Sequence, residues 1–92
     1  MIVRIMGEGQ LQLDEDHLPE LNTLDDALAD AVATDDEPRF AEQLAVLIAR
    51  VRSLGSPLPE ADLAASDVIL PGPSSSLAEV RALLGEEGLI PG

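Results

Sequence analysis

Hydrophobic and polar positions first alternate along the chain and then follow a helical period. Residues 1–6 are rich in β-branched side chains, and residues 10–13 alternate polar with apolar. Two such segments joined by the glycine-containing residues 7–9 are typical of a β-hairpin. Either face of the first segment can be the inner one, formed by Val3 and Ile5 or by Ile2, Arg4 and Met6. A lone hairpin is marginally stable in water, so we expect it to pack on the helices.

Two amphipathic helices are predicted after the hairpin. Apolar side chains recur at helical spacing within residues 17–34, after an acidic segment at 14–17 that supplies N-cap chemistry. A second apolar stripe begins at Phe40 and is spaced 4, 3, 4, 3, which predicts a helix over 38–54 that ends at Gly55. Because the connection is short, we expect an antiparallel helix pair.

The last third of the chain predicts one more strand and one more helix. Residues 67–71 form a short apolar segment closed by proline, and residues 60–65 allow one loose helical turn. Ser76 and Glu79 match the S-x-x-E capping box, which predicts a helix that Gly85 ends. We therefore predict one α+β domain over residues 1–92, mainly helical, with an N-terminal β-hairpin, an antiparallel helix pair and a C-terminal helix.

The charge of the chain disfavours two classes of ligand. The sequence has 18 acidic residues against five basic ones, all of them arginine, and a formal net charge of -13. Phosphate binding needs clustered cations, so we expect neither nucleic acid nor an anionic membrane as a direct ligand. No basic segment precedes an apolar stretch, so we expect no leader peptide and a cytoplasmic location.

Four groups of residues invite a catalytic or metal-binding interpretation, and each has a simpler structural one. His17 with the acids at 14–16 is better read as a helix cap, because adjacent residues cannot all converge on one metal ion. The glycines at 7 and 9 suit a hairpin turn rather than a phosphate loop. The serines at 74–76 lack a nearby base, and the acidic pairs suit a solvated surface. With one histidine and no cysteine, we predict no catalytic residues, no metal and no cofactor.

The apolar stripe of the second predicted helix has two interpretations that compete evenly. It is either the core face of its own domain or a surface on which a partner helix docks. A domain of this size buries a limited fraction of its surface, so part of the stripe can remain exposed.

Five blocks of the sequence, in order and over nearly the whole chain, form a recognisable set. The blocks are MIVRIMGEGQ (1–10), LNTLDDAL (21–28), LGSPLP (54–59), SDVILP (66–71) and EVRALLGEEGLIPG (79–92). Together they resemble the PspAA family, whose members are small PspA-associated proteins of the phage-shock membrane-stress system. None of the blocks is a mechanistic motif, so the resemblance is specific only as a set.

The resemblance implies a non-enzymatic accessory protein that binds and modulates PspA, a coiled-coil membrane-remodelling protein. Membrane contact would then be indirect, through PspA at the inner face of the membrane. Apolar residues left at the surface are the expected contacts, and the candidates are Met6, Leu89 and Ile90. Two alternatives stay open: a small metal-dependent hydrolase that uses the acidic cluster, and a winged-helix-like transcriptional regulator.

Overall fold

The predicted hairpin forms the middle of a four-stranded β-sheet, and the helices pack against that sheet. The structure is a computed structural model that describes residues 1–58, 65–84 and 89. The predicted α+β class is confirmed, with the hairpin, the helix pair and the C-terminal helix all present. In chain order the elements are β1 (Ile2–Ile5), β2 (Gly9–Gln12), a 3-10 turn (Glu15–His17), α1 (Leu18–Ala33), α2 (Glu37–Leu54), β3 (Ser56–Pro57), β4 (Val68–Leu70) and α3 (Leu77–Leu83).

The sheet has the strand order β3-β2-β1-β4, so the two hairpin strands are central and the two shortest strands lie at the edges. β1 pairs antiparallel with β2, β2 pairs antiparallel with β3, and β4 runs parallel to β1. In this register Arg4 lies between Gln10 on β2 and Ile69 on β4. The strand predicted near 67–71 is confirmed as β4, whereas β3 has no counterpart in the sequence prediction.

Val3 and Ile5 form the inner face of β1, which settles the choice that the sequence left open. Both side chains are buried in the core, whereas Arg4 and Met6 are exposed on the opposite face. Successive side chains of a strand point to opposite sides, so one buried residue fixes the orientation of its neighbours. The hairpin turn needs glycine at two positions, because Gly7 and Gly9 have φ values of 84° and 114°.

The helix pair is antiparallel, as predicted. Arg39 near the start of α2 pairs with Asp30 near the end of α1, and Arg50 near the end of α2 pairs with Glu20 near the start of α1. These two ion pairs therefore link opposite ends of the two helices. α1 is one residue shorter than predicted at each end, and α2 begins one residue earlier than predicted, which is the usual uncertainty of helix ends.

An aspartate caps α2 as predicted, whereas the acidic segment before α1 caps the 3-10 turn. The Asp36 carboxylate accepts a hydrogen bond from the Arg39 backbone N–H at 3.2 Å and so caps α2. Asp14 accepts from the Asp16 N–H at 2.9 Å, but it caps the 3-10 turn and not α1 itself. The acidic segment thus has the structural role expected of it, one turn earlier than the α-helix.

The stripe of α2 belongs to the core of its own domain. Five of its side chains are buried, and Leu44, Leu47 and Val51 lie on successive turns of the buried face. They pack against buried side chains from the sheet and from the other helices. These residues are therefore not available as a surface on which a partner helix could dock. The other core residues are Val3, Ile5, Leu13, Leu21, Leu28, Ala31, Val32, Phe40, Ile48, Val68, Leu70, Leu77 and Val80.

The C-terminal helix begins at the predicted capping box. The Ser76 hydroxyl accepts a hydrogen bond from the Glu79 N–H at 3.1 Å and lies 3.2 Å from Glu79 Oε1, to which it donates. Arg81 on α3 donates to the Val32 carbonyl at 2.7 Å and so ties α3 to the end of α1. The predicted helix terminator Gly85 and most of the predicted turn at 60–65 lie outside the described residues.

Gly55 ends α2 as predicted, but for a different reason. A glycine that ends a helix commonly adopts the left-handed conformation. Gly55 instead has φ −87° and ψ 155°, an extended conformation open to any residue. The extended backbone carries the chain directly into β3, which pairs with β2. The need for glycine at this position is therefore steric rather than conformational.

Candidate partner-binding surface

One face of the sheet is turned away from the helices and carries the side chains that alternate with the core residues. On β1 and just after it, Arg4 and Met6 point outward, because Val3 and Ile5 point inward. Ile69 joins this face from β4, where Val68 and Leu70 are buried on either side of it. We call Arg4, Met6 and Ile69 the outer patch.

Two large apolar side chains of the outer patch are in contact with solvent. Met6 is 53% exposed and Ile69 is 52% exposed. Met6 is one of the partner-binding candidates predicted from the sequence, whereas Ile69 is not among them. The signal for Ile69 was present in the three-residue apolar segment 68–70, because a strand buried on one face must expose its middle residue.

The other two candidates from the sequence have different positions. Leu89 is half-buried and packs against the core, and its backbone N–H donates a hydrogen bond to Asp25 Oδ1 at 3.1 Å. Asp25 is itself 2% exposed, so this contact lies inside the domain. Ile90 lies outside the described residues. The structure therefore does not bring Leu89 together with Met6.

Ion pairs occupy most of the arginines. Arg50 donates from Nη2 to Glu20 Oε1 at 3.1 Å, and Arg52 donates from Nε to Glu8 Oε1 at 2.8 Å. The hydrogen bond from Arg52 lowers the pKa of Glu8, and the hydrogen bond from Arg50 lowers the pKa of Glu20. The same bonds raise the pKa values of Arg50 and Arg52. These are surface contacts that fasten α2 to the hairpin turn and to α1.

No metal-binding geometry is found in the described part of the chain, where no three histidine or acidic side chains come together. His17 and the neighbouring acids form the 3-10 turn before α1. Ser76 is engaged as a helix cap, and the Ser75 N–H closes a turn on the Gly72 carbonyl at 3.1 Å.

Comparison with known proteins gives one match. A family model described as PspA-Associated protein covers residues 1–92, which is the whole chain. No curated protein and no solved structure matches the chain. None of the helices in the described ranges has both the length and the hydropathy needed to span a bilayer.

Proposed function

The chain belongs to the PspA-associated protein family, and from this membership we propose that it is a non-enzymatic accessory protein that binds a PspA-type coiled-coil protein and modulates its response to membrane stress. The whole-chain family match is the observation that carries the proposal, since the family description names an association and no reaction. The exposed outer patch supports it, because two apolar side chains beside an arginine suit a protein contact.

We further propose that the protein works in the cytoplasm and reaches the inner face of the membrane only through PspA. A net charge of -13 repels an anionic lipid surface, and a basic amphipathic segment that would anchor the chain is not found in its sequence. The same charge favours a partner with basic stretches, since opposite charge accelerates encounter and helps to select the partner.

Co-sedimentation with liposomes tests both parts of the proposal. The purified protein is mixed with anionic vesicles of phosphatidylglycerol and phosphatidylethanolamine, with and without its cognate PspA. We expect it to pellet only when PspA is present. Pelleting without PspA would overturn indirect attachment, and failure to co-purify with PspA at low and moderate salt would overturn the proposed association.

Modulation has a separate readout in the same assay. The amount of PspA that pellets with the vesicles is measured while this protein is added up to a molar excess. We expect that amount to change in a saturable way. A complex that forms while PspA binds the vesicles as before would restrict the proposal to association alone.

A further inference from the structure

Arg4 differs from the other arginines of the chain. Arg39, Arg50, Arg52 and Arg81 each form an ion pair with a carboxylate. Arg4 is the one arginine that makes no ion pair within the described ranges, although the chain carries 18 acidic residues. The other four arginines each form an ion pair with one of these carboxylates. The lack of such a pair at Arg4 therefore needs a structural explanation.

The explanation lies in the sheet. β1 is an interior strand, and the direct neighbours of Arg4 across it are Gln10 and Ile69, which carry no charge. Adjacent strands are about 4.8 Å apart, so these two side chains flank Arg4 closely. Met6 lies two residues after Arg4, just beyond the end of β1, and it is exposed on the same face, diagonally across from Ile69. Arg4 is therefore held among uncharged side chains.

The carboxylates nearest to Arg4 along these strands are engaged elsewhere. Asp67 Oδ2 accepts a hydrogen bond from the Ile2 N–H at 2.7 Å, at the start of the β1–β4 pair. Glu8 in the hairpin turn binds Arg52 on α2. Within the described part of the chain, the outer patch thus joins two exposed apolar side chains to an arginine that makes no ion pair, on a chain with a net charge of -13.

We propose that the outer patch is the site where PspA docks, and that it receives a helix of PspA that presents a carboxylate to Arg4 between apolar side chains. This inference rests on the association proposed above and names its surface. Arginine and methionine are enriched in the buried centres of interfaces, and a desolvated ion pair selects strongly among partners.

Charge complementarity fixes the kind of helix that fits. Its centre carries the carboxylate for Arg4, and apolar side chains on the same helical face cover Met6 and Ile69. Its outer positions are basic, because the domain that it approaches carries a net charge of -13. A helix with acidic side chains at those outer positions would be repelled.

The test is a pair of variants with the same change in charge. Arg4→Glu and Arg39→Glu both make the protein more negative by two units, but Arg39 lies on α2 and pairs with Asp30. We expect Arg4→Glu to weaken binding to PspA at least tenfold in isothermal titration calorimetry, and Arg39→Glu not to weaken it. If overall charge alone governs binding, both variants bind basic stretches of PspA at least as tightly as the wild type, which would overturn the proposal.

A second pair tests the apolar part. Ile69→Thr removes apolar area from the outer patch, and Val46→Thr also replaces an exposed β-branched apolar side chain with threonine, but on α2, where Val46 is 41% exposed. We expect at least a fivefold loss of affinity for Ile69→Thr alone, with unfolding midpoints measured for both variants. Equal losses for both would overturn the assignment of the surface.

A measurement on the wild-type chain keeps the proposal testable if a variant does not fold. The sequence has two methionines, Met1 and Met6, so ¹³C-methyl labelling gives two signals. We expect PspA to shift or broaden the Met6 methyl signal, and to leave the signal of Met1, which packs on the core, unchanged. A complex that leaves Met6 unperturbed would place PspA on another surface. No complex at all would instead contradict the proposed function.

Discussion

Gly55 and Leu11 lie so close together that a Cβ atom on Gly55 would be 2.9 Å from the Cβ of Leu11. The same atom would be 3.0 Å from Leu13 Cδ1 and 3.0 Å from the Val51 carbonyl oxygen. Two of these three neighbours are a backbone atom and a Cβ atom, which cannot move aside without moving the main chain. The junction between α2 and β3 thus packs directly on β2, and only glycine leaves the space.

Gly55→Ala should destabilise the protein by about 1–3 kcal/mol, the usual cost of one extra carbon in a packed site. The free energy of unfolding is obtained from urea titration followed by circular dichroism. Ser56→Ala is the matched control, because Ser56 is the next residue and is exposed, so its change should stay within about 0.5 kcal/mol. An unchanged urea midpoint of unfolding for Gly55→Ala would show that β2 shifts to make room for the extra carbon atom at no cost in stability.

Leu47→Ala should cost about 2–5 kcal/mol, because Leu47 is fully buried at the centre of the α2 face and its truncation leaves a cavity. Val46→Ala, one residue earlier on the exposed face, should change the stability little. Both variants are compared by thermal and urea unfolding. A Leu47→Ala protein as stable as the wild type would contradict the central position of α2 in the core.

Glu20 should contribute to stability at neutral pH and not in acid. Its pKa is lowered from the ordinary value of 4.5 by the hydrogen bond from Arg50. A lowered pKa in the folded state means that the contribution is present above 4.5 and is lost as the pH falls through the lowered value.

The stability of Glu20→Gln is compared with that of Asp26→Asn. Both substitutions remove one exposed negative charge, but of the two carboxylates Glu20 is the one that pairs with an arginine, Arg50. Melting temperatures are measured at about pH 7 and about pH 3. Glu20→Gln should melt below Asp26→Asn at the higher pH, and the gap between them should narrow as the pH is lowered. A gap that persists in acid would assign the effect to packing of the side chain.

Sodium chloride should stabilise the protein modestly. A net charge of -13 on one small domain repels itself, and raising the salt from about 0.01 to about 0.15 M shortens the screening length from about 30 to about 8 Å. The four surface ion pairs oppose this effect, but exposed pairs contribute little each. A melting temperature that falls as salt rises would show that local attractions dominate.

The purified protein should hold no stoichiometric metal ion. This expectation follows from a single histidine, no cysteine and acidic residues that are adjacent in sequence. Elemental analysis after purification without chelators checks it. Zinc, manganese or iron at one equivalent, lost together with the fold on chelation, would support the hydrolase alternative instead.

The sequence by itself determined the local elements of the protein. The acidic caps, the apolar spacing of α2 and the S-x-x-E box at Ser76 each depend on residues that are near one another in the sequence. Each can therefore be recognised without knowledge of the rest of the fold. The hairpin follows for the same reason, because its glycine turn joins strands that are neighbours in the chain.

Only the tertiary structure decided which residues face solvent together. β4 pairs in parallel with β1 although 62 or more residues separate them, and this pairing places Ile69 beside Arg4. The sequence shows Arg4 as one of five similar arginines, and the ion pairs of the other four join residues 9 to 46 positions apart. Such pairings depend on how whole elements pack. Bringing distant residues together costs the entropy of closing the loop between them, and the packing of many residues together compensates for that cost.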